Sequence, residues 1–206
     1  GRVDVAPDMA IISLGVVREA KTARKALDAN TKAMAEVLAA MRENGILDKD
    51  LQTSNFSIQP RYFYPRNNNG EQKPPQIVGY IVSNNLDVRI RDLTITGKIL
   101  DLAVDLGMNS GGNIRFTNED PSALLKEARR RAVMNALDKA QTMTETVGVE
   151  LGRVLVMSES SGQPRPMKMA QARAAVLESD AAAVPIAAGE NTYSVTVSIT
   201  WEIKQE

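Results

Sequence analysis

The 206 residues contain no histidine and no cysteine. Those side chains supply the commonest general base, the most nucleophilic thiol and most transition-metal ligands, so their joint absence removes whole classes of chemistry. Any catalysis would have to run on carboxylates, hydroxyls, Lys, Arg or Tyr. Without cysteine there are no disulfides, which by itself assigns no compartment. Charge of either sign is lacking in excess: 25 Lys and Arg balance 25 Asp and Glu, so no global field recruits nucleic acid or anionic lipid. Long apolar runs are missing too. No window approaches the roughly 20 apolar residues that span a bilayer, and the longest weakly polar stretch, Ala181 to Gly189, is broken by Pro185. The chain opens at Gly1-Arg2-Val3 with neither an initiator methionine nor a signal-like apolar segment, which predicts a processed product.

What is present is ordinary globular material, 43% apolar and 24% charged, enough to bury a core. Near-alternation of Ile12, Leu14 and Val16 predicts a strand over Met9 to Val17. Apolar positions at three- and four-residue spacing predict a helix from Glu19 to Asn44, stopped by Gly45. A polar strand follows over Leu51 to Gln59, then a hairpin excursion from Pro60 to Gln76 turning near Asn69-Gly70, then a returning strand from Ile77 to Arg91. A helix is expected over Thr94 to Leu106, a turn at Ser110-Gly111-Gly112, and a short strand over Asn113 to Thr117. Asp120 is a good N-cap with Pro121 at the first position of a helix reaching Val147. Leu151 to Ser160 reads as a strand, Gly162 to Asn191 as a second excursion rich in Pro, Met and Ala, and Tyr193 to Ile203 as the strand with the strongest period-two pattern.

The order of elements repeats. Strand, long helix, glycine, strand, long loop and long strand occur over residues 9–91 and again over 113–204, with the 94–106 helix as connector. Gly45-Ile46 corresponds to Gly148-Val149, and Tyr80-Ile81-Val82 to Tyr193-Ser194-Val195. One helix offered to one face of an antiparallel sheet in each half predicts an α+β fold, a duplicated strand-helix-strand-strand unit with long helices backing antiparallel sheets.

Candidate chemistry is sparse. Lys126, Glu127, Arg129, Arg130 and Arg131 form the densest charge run, a phosphate or nucleic-acid site in one reading and a solvated helix face in the other. Ala128, Ala132, Ala136 and Ala140 make a small-residue row that lets the same helix approach a sheet closely. Asp48 and Asp50 could give half of a carboxylate metal site, but Asp is common in turns. Ser122 with Lys126, and Ser158, Ser160 and Ser161 around Glu159, offer hydroxyls without any Ser-x-x-Lys or Gly-x-Ser-x-Gly spacing. Thr96-Gly97-Lys98 lacks the upstream glycine of a phosphate loop. The aromatic and basic run Arg61-Tyr62-Phe63-Tyr64-Pro65-Arg66 holds three of the seven Tyr and Phe residues and reads as a contact for a partner, a sister subunit first, as a loop folded back onto the sheet, or as a plain mobile loop. Pro164, Pro166, Met167 and Met169 have similar adaptable character.

These segments taken together resemble a known family. Pro7-Asp8-Met9-Ala10 entering a strand, the long helix closing in Gly45-Ile46, Asp50-Leu51-Gln52-Thr53, Ile58-Gln59-Pro60, Gly79-Tyr80, Ala128-Arg129-Arg130-Arg131-Ala132, Gly152-Arg153-Val154 and Pro185-Ile186-Ala187-Ala188-Gly189-Glu190 occur in the order of the SIMPL-domain family. The resemblance runs from Pro7 to Lys204 and is treated as one SIMPL-like domain over 1–206. It implies a periplasmic or envelope-associated protein, in some members outer-membrane associated and immunogenic, that self-assembles and is tied loosely to stress tolerance and envelope integrity. The family has no established catalytic residues to carry over, and no metal or cofactor is expected. Members place a Gly-rich strand before the Pro-Asp pair, and Gly1 to Ala6 correspond to its end.

The leading expectation is a non-enzymatic homo-oligomer with Tyr62, Phe63, Tyr64, Pro164, Met167 and Met169 as interface candidates and no nucleic-acid partner. A small-molecule ligand is left unassigned. The second expectation is a periplasmic protein that binds a small ligand or hydrolyses one with Asp48, Asp50 and Glu159, which requires those groups to converge. The third, nucleic-acid binding through Lys126 to Arg131, predicts steep salt dependence.

Overall fold

A computed structural model describes residues 1–66, 73–162, 165–166 and 186–204. In chain order the elements are β1 (Arg2–Val5), β2 (Met9–Ala20), α1 (Ala23–Glu43), β3 (Leu51–Phe63), β4 (Gln76–Ile90), α2 (Thr96–Asp105), β5 (Ser110–Thr117), α3 (Ser122–Val147), β6 (Glu150–Ser161), the short β7 (Arg165–Pro166) and β8 (Asn191–Lys204). The mixture of helices with antiparallel sheets is the expected α+β class. The chain divides into two compact units. Of the described residues, one unit holds those from Met9 to Phe116 with Ile186, and the other those of 1–8, 117–162, 165–166 and 187–204.

In the Met9–Phe116 unit the strand order is β3-β4-β2-β5. Alternation places Ala10, Ile12, Leu14 and Val16 of β2 beside Val82, Leu86, Val88 and Ile90 of β4 on one buried face. Helix α1 covers that face with Ala33, Met34, Val37 and Met41, while Ile99 and Ala103 of α2 join the same core. Strand β2 runs three residues beyond the expected end, because Arg18, Glu19 and Ala20 continue the ladder opposite Val82, Ile81 and Tyr80. The helix therefore starts at Ala23 rather than Glu19, and Thr22 caps it by accepting a hydrogen bond from the Lys25 amide. Ser110-Gly111-Gly112, expected as a turn, opens β5 instead. Both glycines have positive φ, 98° and 95°, and a Cβ on Gly111 would collide with the Ser13 carbonyl oxygen.

In the other unit the order is β1-β8-β6, with β7 also on β8. Gly1 and Val195 exchange both backbone hydrogen bonds, at 2.9 and 3.0 Å, at the head of the β1–β8 pairing. Helix α3 lays Ala128 and Ala132 against Val195, with Val3, Leu125 and Val197 around them. The small-residue row works as its spacing suggests: Ala128, Ala132 and Ala140 are buried, and the Gly1 backbone comes so close to α3 that a Cβ there would overlap Ala128. Asp120 accepts from the Ser122 amide at 2.9 Å, while Pro121, with φ −80° and ψ −1°, occupies the turn just before the first helical residue. Gly148 ends the helix in the left-handed conformation at φ 70°.

Candidate interaction surfaces

Strand β3 does not stop at Gln59. Pro60, Arg61, Tyr62 and Phe63 stay paired with β4, opposite Tyr80, Gly79, Ile77 and Gln76, so the aromatic residues expected on a loop stand at the end of a strand. The pairing of β2 with β4 ends at Ala20 and Tyr80. Beyond it, Arg61 to Phe63 and Gln76 to Gly79 form a two-stranded ribbon, with neither face under a helix among the described residues. Tyr62, Phe63 and Tyr64 are 46%, 56% and 62% exposed, and Ile77 and Val78 are exposed beside them. The Tyr62 and Tyr64 rings sit 6.4 Å apart at a 45° tilt, an offset contact that organises the tip. Arg61 is tied to Glu19 of β2 at 2.8 Å, which fixes the base of the ribbon. Pro164, Met167 and Met169, and the Asn69-Gly70 turn, lie outside the described residues.

The carboxylates proposed for metal or hydrolytic chemistry are each held by an arginine. Asp48 accepts from Arg42 Nε at 2.6 Å. Asp50 is 3% exposed and accepts a fork from Arg91, Nε at 3.1 Å and Nη2 at 3.0 Å. Glu159 of β6 is clasped by Arg129 of α3, whose guanidinium holds its carboxyl below the ordinary range. Asp48 and Asp50 belong to one unit and Glu159 to the other. Among the described residues no three acidic side chains group as a metal site would require.

The charge run on α3 is internally paired. Glu127 accepts from Arg130 at 2.9 and 3.0 Å and from Arg131 at 2.8 Å, and these bonds, Arg130 first, lower its pKa to about 2. Arg131 also donates to the Arg2 carbonyl at 2.8 Å, fastening β1 to α3. Arg129, Arg130 and Arg131, three of the run's four basic side chains, are therefore engaged by carboxylates within their own unit.

Two further surfaces stand beside these. An apolar groove of about 300 Å³ lies between the last turns of α3 and the ends of β6 and β8, lined by Ala140, Met143, Thr144, Val147, Leu151, Trp201 and Ile203. The other is the edge of the β3-β4-β2-β5 sheet, where Phe56 and Ile58 of β3 are 49% and 42% exposed. Alternation marks this strand as polar with weak apolar content; the signal lies in two apolar residues on one parity of a strand that has a single neighbour among the described residues.

The family model described as "SIMPL: Protein of unknown function (DUF541)" matches residues 1–201. The chain belongs to the SIMPL family. Among its relatives, the "26 kDa periplasmic immunogenic protein" of Brucella melitensis biotype 1 is 50% identical over 206 residues, covering 99% of this chain and 82% of the relative. A protein of Escherichia coli K12 named "Uncharacterized protein YggE" is 29% identical over 179 residues, covering 84% of this chain and 69% of the relative. Its namesake in Edwardsiella ictaluri is 28% identical over 166 residues, 80% and 67% of the two chains. None of these relatives is named as an enzyme. Among the described residues of this SIMPL protein, no helix is long and apolar enough to cross a membrane.

Proposed function

We propose that this SIMPL protein is a non-enzymatic, self-assembling protein of the periplasm, peripherally associated with the envelope and contributing to envelope integrity under stress. In this reading the chain is a duplicated strand-helix-strand-strand unit whose excursions and strand edges make the subunit contacts. The periplasmic assignment draws on the name of the Brucella relatives at 50% identity. Self-assembly is carried by one observation, the two-stranded ribbon on which Tyr62, Phe63, Tyr64, Ile77 and Val78 are exposed together. A ribbon of two strands with apolar side chains and no helix over it gains stability when a partner covers it. A non-enzymatic role is supported by the state of the carboxylates, since Asp48, Asp50 and Glu159 each serve an arginine. The groove at Trp201 favours a second reading, binding of a small apolar molecule, but among the described residues no charged side chain lines it to orient a substrate or move a proton.

Size-exclusion chromatography with light scattering on the wild type and on the variant with Tyr62, Phe63 and Tyr64 all changed to Ala tests this. The wild type is expected well above the 22.4 kDa of one chain and the variant at a smaller assembly. A wild type that elutes as a monomer at tens of micromolar overturns the proposal.

A further inference from the structure

The central segment of β3 is a chemical palindrome. Asn55-Phe56-Ser57-Ile58-Gln59 reads amide, apolar, hydroxyl, apolar, amide in either direction. Among the described residues the segment sits on an open edge, since β3 is last in the order β3-β4-β2-β5. Ser54 is the extra residue of a bulge between Thr53 and Asn55, and Pro60, which has no N–H, follows Gln59, so the five regular residues are bounded on both sides. Leu51 to Pro60 carries no charged side chain. Between its Ser54 bulge and Pro60, β3 has five residues with neither charge nor bulge, although edge strands usually guard themselves with charge, bulges or cover. The opposite edge of the same sheet does so: β5 has Arg115 and two glycines of positive φ. Edge strand β6 in the other unit carries Arg153 and Glu159.

We infer that β3 pairs with β3 of a second copy, antiparallel about a two-fold axis at Ser57. In that register Ser57 faces Ser57, Phe56 faces Ile58 twice, Asn55 faces Gln59 twice, and the Ser54 bulge meets the Pro60 that cannot donate. The apolar pairs Phe56–Ile58 form on the same face of both strands, as antiparallel neighbours must. The contact is isologous, so one self-complementary patch suffices and no like charges meet. A palindromic uncharged strand favours a second copy over an unrelated extended peptide, whose sequence would have no reason to match both directions. The inference rests on the self-assembly reading and names its geometry.

The chain has no cysteine, so single-cysteine variants report proximity without background. Ser57→Cys is expected to give a disulfide-linked dimer under mild oxidation, because directly opposed residues in an antiparallel pair lie within disulfide reach, roughly 4.5–5.5 Å between Cα atoms. Asn55→Cys and Gln59→Cys are expected to stay unlinked, since each would stand four residues, about 13 Å, from its own twin. Ser57→Lys, which sets two ammonium groups face to face at the axis, is expected to reduce the assembly mass at least twofold, with a far-UV spectrum like the wild type's. Linking at 55 or 59 but not at 57, no linking at any of the three, or an unchanged mass for Ser57→Lys would each overturn the inference while an oligomeric wild type leaves self-assembly standing. A monomeric wild type removes both.

Discussion

Asn30 occupies the middle of the apolar stripe of α1, between Ala26 and Ala33, yet it is 1% exposed. Its amide Nδ2 donates to the carbonyls of Val16 at 2.7 Å and Val82 at 3.1 Å, one on each of the two strands that α1 covers. A leucine there would extend the stripe and leave both acceptors without that donor, so the polar residue is the cheaper solution. Periodicity alone cannot find such a residue, because it scores Asn30 as an interruption. Glu127 shows the opposite case, a surface residue whose setting is decided by neighbours three and four positions away. Its folded-state pKa of about 2 lies below the ordinary glutamate value of 4.5, so its contribution to stability is complete above pH 4.5 and is lost as pH falls through about 2. A carboxyl titration followed by NMR is expected to give Glu127 a midpoint near 2 in low salt, moving toward 4.5 as salt screens the exposed arginine pairs. A low-salt midpoint near 4.5 would contradict the Arg130 and Arg131 pairing.

Elements were legible where one physical rule dominated. The buried alternation of β2 and β4, the Gly148 stop of α3 and the Ala128–Ala140 row all follow from period, cap or residue size. Boundaries were misread where a tertiary ladder overrode local signals: β2 continues through Arg18-Glu19-Ala20 because β4 is opposite, although these residues read as helix entry. Likewise Pro60 suggests a strand end, but Pro is tolerated on an edge strand, and β3 is one. The interaction surfaces were only half visible. Aromatic clustering exposed the tip residues, whereas the open edge at Phe56 and Ile58 depends on strand order, which no local pattern encodes. The close approach of α3 to β1 and β8 yields a direct test. Ala132 is 5% exposed beside fully buried Ala128, so Ala132→Leu is expected to destabilise its unit by about 1–3 kcal/mol, read by urea denaturation with Trp201 fluorescence. An unchanged midpoint would mean that the helix has room to move away.

For the whole molecule, a zero formal net charge and exposed apolar side chains on both the ribbon and the β3 edge weigh in the same direction. No long-range repulsion opposes association, and the surfaces proposed to meet are apolar or amide-bearing. Assembly of that kind stabilises the folded chain by mass action, because subunits bind folded partners and not unfolded ones. For a dimer, raising protein concentration a hundredfold adds about 1.4 kcal/mol per protomer, which for a chain of this size corresponds to roughly 3–5 °C in Tm. Scanning calorimetry across that range is expected to show this rise in the wild type and a smaller one in Ser57→Lys. Because the contacts at Asn55 to Gln59 contain no ion pair, 1 M salt is expected to leave the rise intact, whereas an assembly held by the arginines of α3 would weaken. A concentration-independent Tm in the wild type would mean that the exposed edge and ribbon meet nothing in solution, and a salt-sensitive one would move the contact from β3 to α3.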